Sequence, residues 1–170
     1  MLPCQLHLLQ NEPYNQTWDF QKGLFNTMIA QKTAKQVTTP LHLIMIEHPH
    51  VYTFGKSADR ENLLASNETL KEMQANVYDI ERGGDITYHG PGQVMAYPLL
   101  NLQRAGYFVK EYVYRLEEAV IRTLSHFGVT GHRVPNAPGI YVRLADPFAH
   151  SALTGPAIPS DPFKGLGKIS

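Results

Sequence analysis

Two hydrophobic periods occur along this chain, and they predict a mixture of strands and helices. Short apolar runs and alternating apolar positions indicate strands, whereas apolar residues three or four apart indicate helices. The segments with strand character are residues 5–9, 41–46, 51–54, 77–80, 93–97 and 139–142. The strands and the predicted helices are intermixed without a regular strand–helix–strand repeat, which favours the α+β class with helices on the faces of a mixed sheet.

Three segments have helical spacing. The first starts near Pro13 and ends near Lys35, and its apolar residues between Trp18 and Ile29 recur at helical intervals. A short helix is predicted over residues 69–74. The strongest signal places one apolar face on a helix that ends at a glycine, and its residues are Val109, Val113, Leu116, Val120, Leu124, Phe127 and the terminal Gly128.

Composition narrows the class of protein. The 170 residues suit one compact domain, with 43% hydrophobic and 18% charged residues. Lys+Arg and Asp+Glu are both 15, so no global field favours nucleic acid or an anionic membrane. No segment has the length of a membrane span, and the first ten residues lack the features of a signal or transit peptide. With Cys4 as the single cysteine, we expect a cytoplasmic protein in a reducing compartment.

Residues 144–167 differ from the rest of the chain. They are rich in Pro, Gly, Ser and Ala, with prolines at 147, 156, 159 and 162. Such a composition predicts a long surface loop. Nothing in it indicates a second domain.

The segment of greatest chemical interest is residues 82–93, called here the glycine-rich segment, which reads RGGDITYHGPGQ. Its glycines permit positive φ or a close approach of backbone to a ligand. Arg82 offers a planar fork of donors, and His89 can donate, accept or titrate near neutrality. The residues between the glycines can run extended. Two interpretations stay open, a ligand-binding loop and a plain hairpin, and composition alone favours the hairpin.

Two glycine-containing stretches resemble nucleotide-binding motifs, but neither matches its motif in full. Gly90 and Gly92 lack the third glycine of a dinucleotide fingerprint, because Met95 stands at its position. Residues 55–57, Gly-Lys-Ser, resemble the end of a phosphate-binding loop, but His50 occupies the place of the leading glycine.

The two histidines beside Pro49 suggest a metal pair at first sight. His48 and His50 have no third His, Cys or carboxylate at ligand spacing, so a turn before a strand is the better interpretation. We therefore expect no metal.

Several segments together resemble the lipoyl(octanoyl) transferase family. Residues 82–98 are similar to its signature, and residues 47–56, 137–142 and the Lys168–Ile169 step match three further segments in the same order. The resemblance implies the catalytic-core fold shared by biotin and lipoate–protein ligases. It also implies that residues 1–170 are octanoyltransferase catalytic domain. The implied reaction, in lipoate biosynthesis, moves octanoyl from acyl carrier protein to a lipoyl-domain lysine through a cysteine thioester.

The same resemblance assigns roles to residues. The octanoyl thioester would be bound by Arg82, Gly83, Gly84, Asp85, Ile86, Thr87, Tyr88 and His89, with Tyr88 and His89 framing the reacting end. Lys168 matches the lysine that lowers the pKa of the nucleophilic cysteine. In the family that cysteine follows the lysine, whereas here Ser170 is the last residue and Cys4 lies before the first helix. We therefore expect the C-terminal part of the catalytic domain, with its nucleophile, to be missing.

The implied partners are octanoyl-acyl carrier protein, the lipoyl domains of 2-oxoacid dehydrogenase E2 subunits, and the glycine cleavage H protein. No cofactor, nucleic acid or membrane is expected. Two alternatives stay open. One is an ATP-dependent lipoate–protein ligase of the same fold, which dependence on ATP would distinguish. The other is a non-catalytic acyl-binding fragment that lacks the nucleophile.

Overall fold

The computed structural model describes residues 3–35 and 40–143, together with the backbone of residues 166–169. The chain divides into two compact units, Met1–Asn101 and Leu102–Ser170. The strands are β1 (Cys4–Gln10), β2 (Leu41–Glu47), β3 (Val51–Phe54), β4 (Asn76–Asp79), β5 (Ile86–His89), β6 (Val94–Leu99), β7 (Gly131–Val134), β8 (Ala137–Arg143) and β9 (Leu166–Ile169). The α-helices are α1 (Tyr14–Thr33), α2 (Asn67–Glu72), α3 (Leu102–Ala105) and α4 (Val109–His126), and Arg60–Asn62 form a 3₁₀ turn.

The first unit contains two mixed sheets. In one, β2 lies between a parallel β1 and an antiparallel β6. Burial alternates along β2, where His42, Ile44 and Ile46 are buried and the residues between them are half-buried. This period of two is what a sheet with one face in the core requires, so the predicted strand over residues 41–46 is confirmed.

The second sheet has β3 at its centre, parallel to β4 and antiparallel to β5. Val51, Thr53 and Phe54 are at most 2% exposed, so β3 is part of the core. Its register with β5 opposes Tyr52 to Tyr88 and Val51 to His89. The extended conformation expected after the first glycines is therefore confirmed.

The residues at their N-termini determine where helices α1 and α2 of the first unit begin. Helix α1 begins directly after Pro13, as predicted, and ends two residues before Lys35, whose φ is +52°. Helix α2 begins earlier than the predicted residues 69–74, because the Ser66 hydroxyl accepts a hydrogen bond from the Thr69 amide at 3.2 Å. A serine at this position satisfies an amide at the start of a helix.

The second unit combines α4 with the antiparallel sheet β7–β8–β9. Gly128, with φ at +75°, ends α4 as predicted, and the amide of Val129 donates back to the Leu124 carbonyl at 2.9 Å. The side chain of Arg133 on β7 contacts Glu117 and Glu118 on α4 at 3.1 and 3.0 Å. These ion pairs join the helix to the sheet.

The α+β class with mixed strand pairing is confirmed, although the strands of the described ranges form three sheets instead of one. The predicted loop over residues 144–167 lies largely outside the described residues, and its last two residues belong to β9. Within the described ranges, no helix has both the length and the apolar character needed to cross a bilayer.

Candidate active site

The first part of the glycine-rich segment, residues 82–85, packs against the residues that follow β3. The amides of Gly55, Lys56 and Ser57 donate to the carbonyls of Asp85, Arg82 and Gly84 at 3.2, 3.0 and 3.3 Å. A Cβ on Gly55 would lie 2.2 Å from the Gly84 carbonyl oxygen, and Gly84 itself has φ at +86°. These glycines therefore allow two stretches of backbone to touch.

Arg82 turns back onto β3 and makes four hydrogen bonds, three to Thr53 of β3 and one to Gly83. Its Nη2 donates to the carbonyl and hydroxyl oxygens of Thr53 at 2.7 and 3.0 Å, and its Nε donates to the same hydroxyl at 3.3 Å. Its Nη1 donates to the Gly83 carbonyl at 3.0 Å. Most of the donor capacity of a guanidinium is thus used inside the chain.

Asp85 is also bonded to its own chain. One carboxylate oxygen accepts from the amide of Asp59 at 3.0 Å, and the other accepts from the side-chain amide of Asn62. Asp59 caps the 3₁₀ turn by accepting from the amide of Glu61 at 3.0 Å. The carboxylate of Asp85 therefore fixes the turn that follows residues 55–57.

Tyr88 lies at the surface end of β5 among other rings. Its ring centre is 5.1 Å from that of Tyr52 and 5.9 Å from that of His50, and its hydroxyl is 2.5 Å from Nδ1 of His50. The side chain is 40% exposed, yet burial of the phenol still raises the pKa of Tyr88, and the neighbouring Tyr52 adds to that rise. Tyr88 is therefore a neutral phenol at pH 7.

His89 is buried on the opposite face of β5. Because the side-chain oxygen of Gln93 can only accept, Nδ1 of His89 must be the donor in their 2.7 Å hydrogen bond. In the neutral ring this leaves a lone pair on Nε2. Among the residues that the structure describes, none forms a hydrogen bond to Nε2.

A second buried imidazole, that of His48, interacts electrostatically with His89. His48 is 1% exposed, and its Nδ1 donates to the Glu12 carbonyl at 3.4 Å while its Nε2 accepts from the Tyr97 hydroxyl at 2.9 Å. Burial lowers the pKa of His48, the bond to Glu12 opposes that shift, and charge on His89 lowers it further. Burial likewise raises the pKa of Tyr97 above its ordinary value. Both groups are therefore neutral at pH 7.

The two histidines beside Pro49 thus have separate partners, one in the core and one on Tyr88. In the described ranges, no three His, Cys, Asp or Glu side chains converge as metal ligands.

The remaining residues of the expected site lie on β5 or just before it. Ile86 and Thr87 are half-buried and lie opposite Phe54 and Thr53 of β3. Gly83 is exposed, and a Cβ at this residue would have no neighbouring atom within 4 Å.

Lys168 belongs to the second unit. The structure describes its backbone, which lies on β9 opposite Tyr141 of β8.

The sequence analysis did not predict the contacts made by Thr53, His48, Tyr97 and Gln93. The signal that could have found Thr53 and His50 is the pairing of β3 with β5, which brings residues 50–54 beside residues 86–89.

Comparison with solved structures gives the fold family of the chain. An archaeal bipartite lipoate protein ligase from Thermoplasma acidophilum superimposes with a TM-score of 0.55 at 14% identity, covering 84% of this chain and 52% of that one. A lipoate-protein ligase A solved with ATP gives a TM-score of 0.53 at 16% identity, covering 82% of this chain and 53% of that one. The fold is therefore that of a lipoate–protein ligase catalytic core, as the sequence predicted.

The family follows from sequence comparison. The family model described as the lipoyl protein ligase A/B catalytic domain matches residues 13–154, and the chain belongs to that family. An octanoyltransferase of Polaromonas naphthalenivorans (strain CJ2) is 60% identical over 137 residues, covering 81% of this chain and 58% of the relative. One of Variovorax paradoxus (strain S110) is 58% identical over 132 residues, covering 78% and 56%. The chain thus spans less than two thirds of these relatives, and the predicted resemblance is confirmed.

Proposed function

We propose that this protein takes part in octanoyl transfer from acyl carrier protein to a lysine of lipoyl domains, the reaction of lipoate biosynthesis. The observation that carries the proposal is strand β5, where the exposed Tyr88 offers its hydroxyl beside a loop that is already held by its own hydrogen bonds. The names of the similar relatives, octanoyltransferases from several bacteria, support the same reaction.

In this proposal, the glycine-rich segment binds the octanoyl thioester. The carbonyl of a thioester can only accept hydrogen bonds, so it needs a donor such as the Tyr88 phenol. His89 lies on the buried face of β5, and because its Nδ1 donates to Gln93, its Nε2 lone pair can accept a hydrogen bond. Arg82 and Asp85 hold the loop in place.

The covalent step is inferred from the family resemblance. A thiol becomes a better nucleophile when a nearby cation lowers its pKa, and Lys168 is the residue proposed to supply that cation. The single cysteine, Cys4, lies at the start of β1, in the first sheet, whereas the glycine-rich segment begins beside β3 in the second. We therefore propose that Cys4 does not carry the acyl group and that the thioester step needs a cysteine absent from this sequence.

The proposed partners are octanoyl-acyl carrier protein as donor and lipoyl domains as acceptors. The acceptors would include those of 2-oxoacid dehydrogenase E2 subunits and the glycine cleavage H protein. These reactants favour the cytoplasm as the site of action. We propose no cofactor, because the thioester donor already supplies the free energy that acyl transfer needs.

Titration with an octanoyl-pantetheine thioester, followed by calorimetry, tests the acyl site directly. The octanoyltransferase of Polaromonas naphthalenivorans is the matched positive control. We expect both proteins to bind the thioester. A folded 170-residue chain that fails to bind it, while the relative does bind, would contradict the proposal.

Incubation with octanoyl-acyl carrier protein and intact-mass measurement tests the covalent step. We expect an octanoyl adduct on the relative and none on Cys4 of this chain. An adduct on Cys4 with turnover onto a lipoyl domain would make Cys4 the nucleophile. Acylation that proceeds only from free octanoate and ATP would instead support a ligase.

A further inference from the structure

We propose that His50 is a positioning residue for acyl transfer, because it holds the hydroxyl of Tyr88 in one direction at the end of β5. This rests on the proposed function for the identity of the ligand, but the contact itself can be tested without any ligand. The observations are the hydrogen bond, the stacking of the two rings and the space left by a glycine beside them.

Strand geometry brings three rings to one face of the second sheet. Side chains two residues apart on a strand point to the same face, so His50, directly before β3, lies on the face of Tyr52. Tyr88 opposes Tyr52 in the antiparallel register. Their ring centres are 5.1 Å apart, and those of His50 and Tyr88 are 5.9 Å apart with planes at 26°. The phenol is therefore in contact with both neighbours.

Gly90 makes room for the hydroxyl. A Cβ at Gly90 would lie 2.2 Å from the Tyr88 hydroxyl oxygen and 3.1 Å from Nδ1 of His50. Any larger residue would displace the hydroxyl from the imidazole. The phenol is thus confined by Tyr52, by His50 and by the backbone of Gly90.

The hydrogen bond has a chemical consequence for a thioester. When Nδ1 of His50 carries a proton, it donates to the phenol oxygen, and the phenol proton stays available for a carbonyl. When Nδ1 carries no proton, it accepts a hydrogen bond from the phenol, and the phenol can then only accept from a ligand. His50 therefore sets both the direction of the hydroxyl and whether it can donate.

Four variants isolate this contact. His50→Phe keeps a ring against Tyr88 but removes the nitrogen, whereas His50→Asn keeps a polar atom close to the position of Nδ1. Tyr88→Phe removes only the hydroxyl, and the double variant His50→Phe with Tyr88→Phe closes a mutant cycle. Each is titrated with octanoyl-pantetheine thioester, and each tyrosine ring is followed by NMR with labelled tyrosine in the absence of ligand.

We expect His50→Phe and Tyr88→Phe each to weaken binding about threefold to tenfold, the range typical of one hydrogen bond. The double variant should lose no more than either single one, and His50→Asn should recover part of the affinity. The NMR signal of the Tyr88 ring should shift in His50→Phe and return toward its original position in His50→Asn.

Two results would overturn the inference. One is a double variant whose loss is the product of the single losses, which would mean that His50 acts apart from the hydroxyl. The other is an unchanged Tyr88 signal in His50→Phe. If the unaltered protein does not bind the thioester, the proposed function fails, and the Tyr88 signal alone then decides whether His50 holds the phenol.

Discussion

Two parts of the glycine-rich segment, residues 82–85 (its first half below) and residues 86–90 (its second half), use their polar groups in opposite ways. In residues 82–85, the side chains of Arg82 and Asp85 bond to Thr53, Gly83, Asp59 and Asn62 of their own chain. In residues 86–90, Tyr88 and His89 each have one side-chain partner and keep further bonding capacity. The polar side chains of residues 82–85 hold the loop, and those of residues 86–90 are the ones proposed to meet a ligand. The hydrogen-bonding capacity of a side chain such as Arg82 can therefore be used largely within the chain.

The strongest test of this difference is Gly55→Val. Its side chain would collide with the Gly84 carbonyl, because even a Cβ would lie 2.2 Å from that oxygen. Overpacking against backbone typically costs about 1–3 kcal/mol, and we expect a loss near the upper end of that range in urea unfolding. An unfolding free energy that stays the same would show that residues 82–85 are not tightly packed on the end of β3.

Arg82→Ala should have the next largest effect. It removes four hydrogen bonds and leaves the acceptors on buried Thr53 without those donors, which we expect to cost about 2 kcal/mol of unfolding free energy. Tyr88→Phe, the matched variant in the second half, should lower acyl affinity without changing stability. Equal stability losses in both variants would remove the distinction between the halves.

Acidification tests the buried groups behind the site. Burial lowers the pKa of His48, and burial together with His7 lowers that of His42. Below about pH 6.5 these histidines are protonated in the unfolded chain but stay neutral in the folded chain. The free energy of unfolding is therefore highest above that pH and decreases as the pH falls below it. The slope is at most about 1.4 kcal/mol per pH unit for each histidine. Urea unfolding from pH 8 to pH 5 should show it, less steeply in His48→Gln.

Gly83→Ala should have the smallest effect. No atom lies within 4 Å of the added carbon, and the φ of this residue is not positive. We expect a change in unfolding free energy within about 0.5 kcal/mol. If the variant keeps its stability but loses affinity for octanoyl-pantetheine, Gly83 contacts the acyl group, and the first half of the segment also binds ligand.

Much of the fold could be predicted because local patterns determine it. The apolar run of β2 and the glycine after α4 each mark an element without help from distant residues. Strand β7 was missed because Gly131–Val134 has neither alternation nor an apolar run, and it is defined by its pairing with β8 and by the ion pairs of Arg133. Tertiary contacts of this kind leave no local trace.

The candidate site was predicted in part. The family resemblance singled out the glycine-rich segment, and the structure shows that this segment contains β5 and pairs with β3. The sequence could not show which hydrogen-bond donors of the segment are already used within the chain. Arg82 has a fork that suits a ligand, but no property of residue 82 itself reveals that two oxygens of Thr53 accept its hydrogen bonds. The partner of Tyr88 is 38 residues away along the chain.

The order of strand pairing has a consequence for the time course of folding. Strand β2 pairs with β6, and all of β3, β4 and β5 lie between them in sequence. A chain leaving the ribosome can assemble the second sheet as a local unit, whereas the first sheet must wait until residue 99 has emerged. Closing so long a loop is slow compared with forming a hairpin. We expect the strands of the candidate site to pair early in folding. A substitution that weakens the β2–β6 pairing should slow the folding of the whole first unit.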